Sequence, residues 1–120
     1  SKSSQSPSME TRIMGSFVIC AFRPKPGQES KLLDVLKTHI PILKGEDLIT
    51  DRPPCFMKSS DGTILELFEW KSADHSEKAH ENQAVLDVRA RLEACCDYLT
   101  LRDVPETTSP FPNFESIDLG

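Results

Sequence analysis

Glu66 is the residue whose surroundings demand a chemical explanation. In the run Thr63-Ile64-Leu65-Glu66-Leu67-Phe68-Glu69-Trp70 it is a carboxylate set among apolar neighbours. A buried carboxylate has to be ion-paired, hydrogen-bonded or protonated, because an isolated charge in a low-dielectric interior costs several kcal/mol. The period of two in a strand puts Ile64, Glu66, Phe68 and Trp70 on one face and Leu65, Leu67 and Glu69 on the other. Glu66 is therefore a candidate to orient or deprotonate a ligand. The competing reading is an ion pair with Arg23 or Arg102 across the sheet, or a contact with a second subunit. On the same face, Phe68 and Trp70 offer a flat apolar wall on which an aromatic ligand can stack, and Trp70 adds one N–H donor. A plain core tryptophan fits the same position.

Two histidines share this neighbourhood in the expected fold. His39 falls on the apolar stripe of the first helix and His80 at the break of the second, so both imidazoles can reach one space between helices and sheet. Imidazole is the natural general acid or base near neutral pH; each ring also fits as a satisfied core or helix-end histidine. Arg52, in the connector Asp51-Arg52-Pro53-Pro54, is a candidate clamp for an anionic substrate group, or a solvated loop arginine. His75 and His80 are five apart, about 140° around a helix, and cannot chelate one metal as an i,i+4 pair does. The cysteines at 20, 55, 95 and 96 form no C-x-x-C pair and no zinc spacing, and read as small buried hydrophobes in a reducing compartment. No Gly-rich phosphate loop, nucleophile elbow or Ser/His/Asp arrangement is present. No metal and no cofactor are expected.

The elements that must position these side chains follow from periodicity. Ser16 to Arg23 is β-branched and aromatic, a strand covered on both faces, and Pro24-Lys25-Pro26-Gly27 ends it. Leu32, Leu33, Val35, Leu36, His39, Ile40 and Leu43 mark a helix that Pro41 is expected to kink or restart. Cys55–Lys58 and Thr63–Trp70 flank an Asp61-Gly62 tip and predict a hairpin. Ser72 or Asp74 caps a second helical region that breaks at His80-Glu81-Asn82. Its later part carries Val85, Val88, Leu92 and Cys95 on one stripe, with Asp87/Arg91 and Arg89/Glu93 as ion pairs on a solvent face. Tyr98–Arg102 alternates as a last strand. The order β-α-β-β-α-β predicts an α+β fold, a four-stranded antiparallel sheet of ferredoxin-like type with helices on one side. Strands one and three are apolar on both sides, so the open side predicts sheet-to-sheet pairing into a homodimeric α/β barrel.

The 120 residues suit one domain over 15–103, with 1–14 a leader or loose N-terminus and 104–120 a C-terminal arm packed on the domain or its partner. A net charge of −5 with scattered Lys and Arg argues against a nucleic-acid surface. No apolar run approaches the ~20 residues that cross a bilayer, so no membrane role is expected. Ser1 to Ser8 lacks the apolar core of a signal peptide, which predicts a cytoplasmic protein.

At Pro26-Gly27 opening the first helix, Glu69-Trp70-Lys71-Ser72 closing the third strand and Ala79-His80-Glu81-Asn82 breaking the second helix, the chain resembles the antibiotic biosynthesis monooxygenase-like dimeric α/β barrels, over about residues 15–103. That superfamily includes cofactor-independent oxygenases of aromatic polyketides or quinols, haem-degrading enzymes and proteins without a known activity, with the pocket inside each monomer. The haem-degrading branch carries an Asn on the first strand and a Trp/His pair in the second helical region. Here Phe17 to Phe22 has no Asn and His80 stands without a tryptophan, so that branch fits poorly. The resemblance implies a homodimer that holds a small aromatic ligand. In an oxygenase, His80 or Glu66 takes a proton while Trp70, Phe68, His39 and Arg52 surround the substrate. The alternative is a non-catalytic binding or accessory protein with a filled pocket.

Overall fold

The computed structural model describes residues 15–119, and the leader assigned to residues 1–14 lies outside them. The chain runs β1 (Ser16–Pro24), α1 (Glu29–Gly45), β2 (Cys55–Lys58), β3 (Ile64–Trp70), α2 (Ala73–Ala79), α3 (Gln83–Cys95), β4 (Cys96–Leu99) and β5 (Glu115–Ile117). It is an α+β fold with one antiparallel sheet in the order β4-β1-β3-β2-β5. The two longest strands, β1 and β3, pair from Ser16↔Trp70 to Phe22↔Ile64. No helix among the described residues is long and apolar enough to cross a membrane.

α1 buries Leu32, Leu36, His39, Ile40 and Leu43, the stripe expected from the sequence. It runs through Pro41 without the restart that was one of the two outcomes expected there. Pro41 and Lys37, whose carbonyl loses its partner, both lie on the exposed side, where water replaces the missing hydrogen bond. In the hairpin between β2 and β3, Gly62 has φ +94, and Asp61 Oδ1 accepts from the Thr63 N–H at 3.0 Å. A side chain at Gly62 would meet the left-handed penalty. Ser72, not Asp74, caps α2, and its hydroxyl lies 2.8 Å from His75 Nδ1. Asn82 caps α3 by accepting from the Val85 N–H.

The last strand departs from expectation in position. β4 covers Cys96–Leu99 rather than Tyr98–Arg102, because Thr100 diverts the chain into a 3-10 turn over Leu101–Asp103. Its hydroxyl donates to Asp103 Oδ2 at 3.1 Å and its carbonyl accepts from the Asp103 N–H, a local alternative to the ladder. The sheet also gains a fifth strand. The C-terminal segment returns as β5 and pairs with β2, Phe56↔Ile117, filling donors and acceptors that an edge strand would otherwise leave open.

The two faces of the sheet are covered differently. One cluster of Ile40, Leu43, Phe68, Trp70 and Val85, and another of Phe22, Leu32, Leu36, Ile64 and Leu92, fill the space under the helices. On the opposite face Ala21 and Leu65 pack on Val104, with Met57, Leu99 and Phe114 around them. The arm thus supplies part of the cover that the apolar strands require. Phe17 and Ile19 on that face stay 56% and 45% exposed.

Candidate active site

Helix and sheet join at one polar contact. His39 follows Leu32 by seven and Leu36 by three, so the stripe that drives α1 onto the sheet carries the imidazole with it. It meets Glu66, which sits mid-strand in β3 opposite Cys20 of β1. His39 Nδ1 lies 2.8 Å from Oε2 and 2.9 Å from Oε1 of Glu66. Glu66 is fully buried and His39 is 6% exposed. Nδ1 donates, since the carboxylate only accepts, and Nε2 is the ring position left for another partner. The Phe68 ring stands edge-on to the imidazole at 5.9 Å and 86°, and Trp70 crosses Phe68 at 4.9 Å and 73°. These contacts hold the imidazole plane in place.

Beside this pair lies a cavity of about 350 Å³. Val18, Cys20 and Phe22 of β1, with Phe68 and Trp70 of β3, form its sheet side. Val85, Arg89 and Leu92 of α3 form its helical side, and His39, His80, Ser76 and Tyr98 also line it. The structure therefore brings His39, Phe68, Trp70 and His80 to one space. Glu66 is not part of the lining; it stands behind His39 and reaches the cavity only through it. Glu66, expected from the sequence to face a ligand directly, has His39 as its partner, and neither Arg23 nor Arg102. Arg23 pairs instead with Asp61 at 3.9 Å.

Arg52 lies elsewhere. Its Nε donates to Glu69 Oε1 at 2.9 Å and its guanidinium covers the Phe17 ring at 5.4 Å, on the sheet face away from the cavity. A substrate clamp at Arg52 does not fit this placement. The Arg52 hydrogen bond holds the Glu69 carboxyl below its ordinary value of 4.5, against a smaller opposing effect of desolvation. A depressed carboxylate stabilises the fold above its ordinary value, and that contribution disappears as pH falls through the lower folded-state value. Arg52→Gln is thus expected to be less stable than wild type at pH 7, with a smaller gap at pH 3. Urea denaturation at the two pH values measures this, and a gap of constant size would count against it.

The sequence reading missed Arg89. It assigned this residue to a solvent face paired with Glu93, whereas Arg89 lines the cavity and its Nη1 donates to His80 Nδ1 at 3.0 Å. The signal was present: Arg89 follows Val85 by four and precedes Leu92 by three, which puts it on the border of the buried stripe. Asp87 likewise bonds Gln83 rather than forming the expected pair with Arg91.

The remaining cavity groups with protons to lose hold them firmly. Burial, reinforced by Glu66, pushes the Cys20 thiol up to about 12. Burial first, then Glu93, raises the Tyr98 phenol to about 12. Cys20 is therefore a neutral wall and not a nucleophile at pH 7. Cys55, contrary to the reading of four buried cysteines, is exposed on β2, while Cys95 and Cys96 are buried. Alkylation of the native protein is expected to modify Cys55 first, with Cys20, Cys95 and Cys96 reacting at least about tenfold more slowly until denaturant is added. Peptide mass spectrometry resolves the order, and early labelling of Cys20 would contradict the closed thiol wall.

Among the described residues no group of three or more His, Cys, Asp or Glu is placed to hold a metal ion. Comparisons with protein-family models, curated proteins and solved structures find no match to this chain.

Proposed function

We propose that this chain binds a small hydroxylated aromatic compound in the cavity between helices and sheet, and that His39, oriented by Glu66, acts on it as a general base. The observation that carries the reading is a buried imidazole whose Nδ1 is engaged by both oxygens of a buried carboxylate while the ring borders an apolar cavity. A carboxylate behind a histidine selects the tautomer and stabilises the imidazolium formed when Nε2 takes a proton. Phe68, Trp70 and Val85 keep water from the ring of the ligand, which strengthens the electrostatics of that transfer.

The reaction this arrangement suits is cofactor-independent monooxygenation. A phenol that gives its proton to His39 becomes an electron-rich phenolate, which reduces dioxygen. One oxygen atom enters the ring, giving a quinone, and the other leaves as water with the two hydrogens lost by the phenol. His80, the catalytic candidate of the sequence reading, is exposed and bonded to Arg89, so it serves ligand capture. A second reading, a binding or accessory protein that catalyses nothing, draws support from the largely apolar lining. Oxygen uptake with a panel of dihydroxynaphthalenes separates the two. The enzyme reading expects uptake reduced about 10²- to 10⁴-fold in His39→Gln. Binding with no uptake across the panel leaves the second reading in place.

The finer architecture belongs to the same proposal. We read β4-β1-β3-β2 as a ferredoxin-like sheet and the exposed Phe17 and Ile19 as part of the face on which a second copy packs to form a dimeric barrel. Four free cysteines support a reducing, cytoplasmic setting. Light scattering that returns a monomer mass at micromolar concentration would end the dimer reading.

A further inference from the structure

The cavity carries a positive charge that no carboxylate of the described ion pairs neutralises. Arg89 is absent from those pairs, and Glu93, one turn along α3, does not bond to it. Its side chain bonds to an uncharged acceptor, His80 Nδ1, at 3.0 Å. Because guanidinium only donates, His80 accepts through Nδ1, and the proton of its neutral ring is left on Nε2. The guanidinium also keeps several N–H donors beyond the one spent on His80. Arg89 and His80 therefore present a set of hydrogen-bond donors with a net positive charge, both lining the same cavity. His80 is exposed and Arg89 half-buried, which sets this group at the cavity mouth.

The opposite chemistry lies at the buried histidine. His39, almost fully buried, offers an acceptor nitrogen, and the rest of the lining is largely aromatic and aliphatic. Such an arrangement recognises a molecule with an anion at one end, a flat apolar body, and a hydroxyl proton at the other. We propose that Arg89 and His80 form an anion subsite that takes the carboxylate of a small hydroxylated aromatic acid, turning its hydroxyl inward to His39. This rests on the reading of the cavity as a ligand site and adds the class and direction of the ligand. A cavity near the lower end of the roughly 300–1,000 Å³ range of ligand pockets admits a mono- or bicyclic acid and excludes larger fused systems. Arginine suits the task because its planar fork matches a carboxylate bidentately.

Trp70, the single tryptophan of the chain, lines the cavity and reports occupancy by fluorescence quenching. The probes are 6-hydroxy-2-naphthoate and 2-naphthol, which share the bicyclic body and hydroxyl and differ in the carboxylate. Wild type is expected to bind the naphthoate about 10- to 100-fold more tightly, the range for a charge-assisted hydrogen-bonded pair. Arg89→Gln should weaken naphthoate binding far more than 2-naphthol binding and so remove that preference, and Arg89→Lys should keep part of it. Raising the salt concentration should weaken naphthoate binding alone, a readout that needs no variant to fold. Equal binding of the two probes by wild type, or equal weakening of both in Arg89→Gln, overturns the anion subsite and leaves the cavity reading standing. Failure of both probes to bind at millimolar concentration overturns both.

Discussion

Glu66→Ala is expected to cost about 1–3 kcal/mol of folding stability, because it leaves His39 buried without the acceptor that holds its Nδ1 hydrogen. Glu66 is fully buried at the centre of the sheet, so no water reaches the position from outside to replace the lost oxygens. Glu66→Gln keeps the shape and one carbonyl acceptor, and should cost less than the alanine variant. The double replacement His39→Leu/Glu66→Leu should recover much of the loss, since replacing both partners of a buried hydrogen bond by apolar side chains of similar size can be nearly neutral. A double-mutant cycle in urea reads the coupling between the two positions directly. Strong coupling in stability, together with loss of oxygen uptake in the well-folded Leu/Leu protein, is the pattern expected of a pair retained for chemistry. Additive single effects would mean that the 2.8 Å contact is incidental.

Removal of residues 104–120 is the second large effect. Val104 is fully buried against Ala21 and Leu65, and Phe114 packs beside it. Losing these contacts should cost about 2–4 kcal/mol from apolar area alone. The arm is also anchored by Glu106, which accepts from Ser59 Oγ at 2.6 Å and from the Ser60 N–H at 2.7 Å on the β2–β3 hairpin. Cutting after Asp103 strips β5 from the edge of β2 and uncovers Ala21, Leu65 and Met57. The shortened chain should melt at lower temperature and bind an apolar dye, and the open edge should promote association. An unchanged melting temperature would show that the arm is not part of the folded unit.

The arm expected after residue 103 to pack on the domain or its partner shows how far sequence reading goes: its apolar residues signal burial but not which residues they meet. A stretch with proline and scattered Phe and Ile has neither helix nor strand periodicity, so nothing local announces that Val104 completes a core or that Ile117 pairs with Phe56. Those contacts join residues far apart in the chain, and their stability comes from the surface they cover. Thr100 illustrates the converse problem: the alternation of Tyr98–Arg102 favours a strand, and a single side-chain hydrogen bond to Asp103 turns the chain away.

The residues themselves determined the elements. The stripe of Leu32, Leu36 and Leu43, the Asp-Gly hairpin, the helix break at His80 and the buried carboxylate in β3 all follow from period, turn chemistry and the cost of an unpaired charge. Which group answers that charge was decided only by packing. Arg23 and Arg102 are the partners the sequence suggests and His39 is the one the fold supplies, because partner choice depends on how a helix lies across a sheet. The same docking of α1 and α3 on β1 and β3 moved Arg89 from an assumed solvent face to the cavity and left Arg52 on the far side. Local periodicity records which side chains avoid water; it does not record which of them meet, since that is fixed by contacts between segments that the chain brings together only on folding.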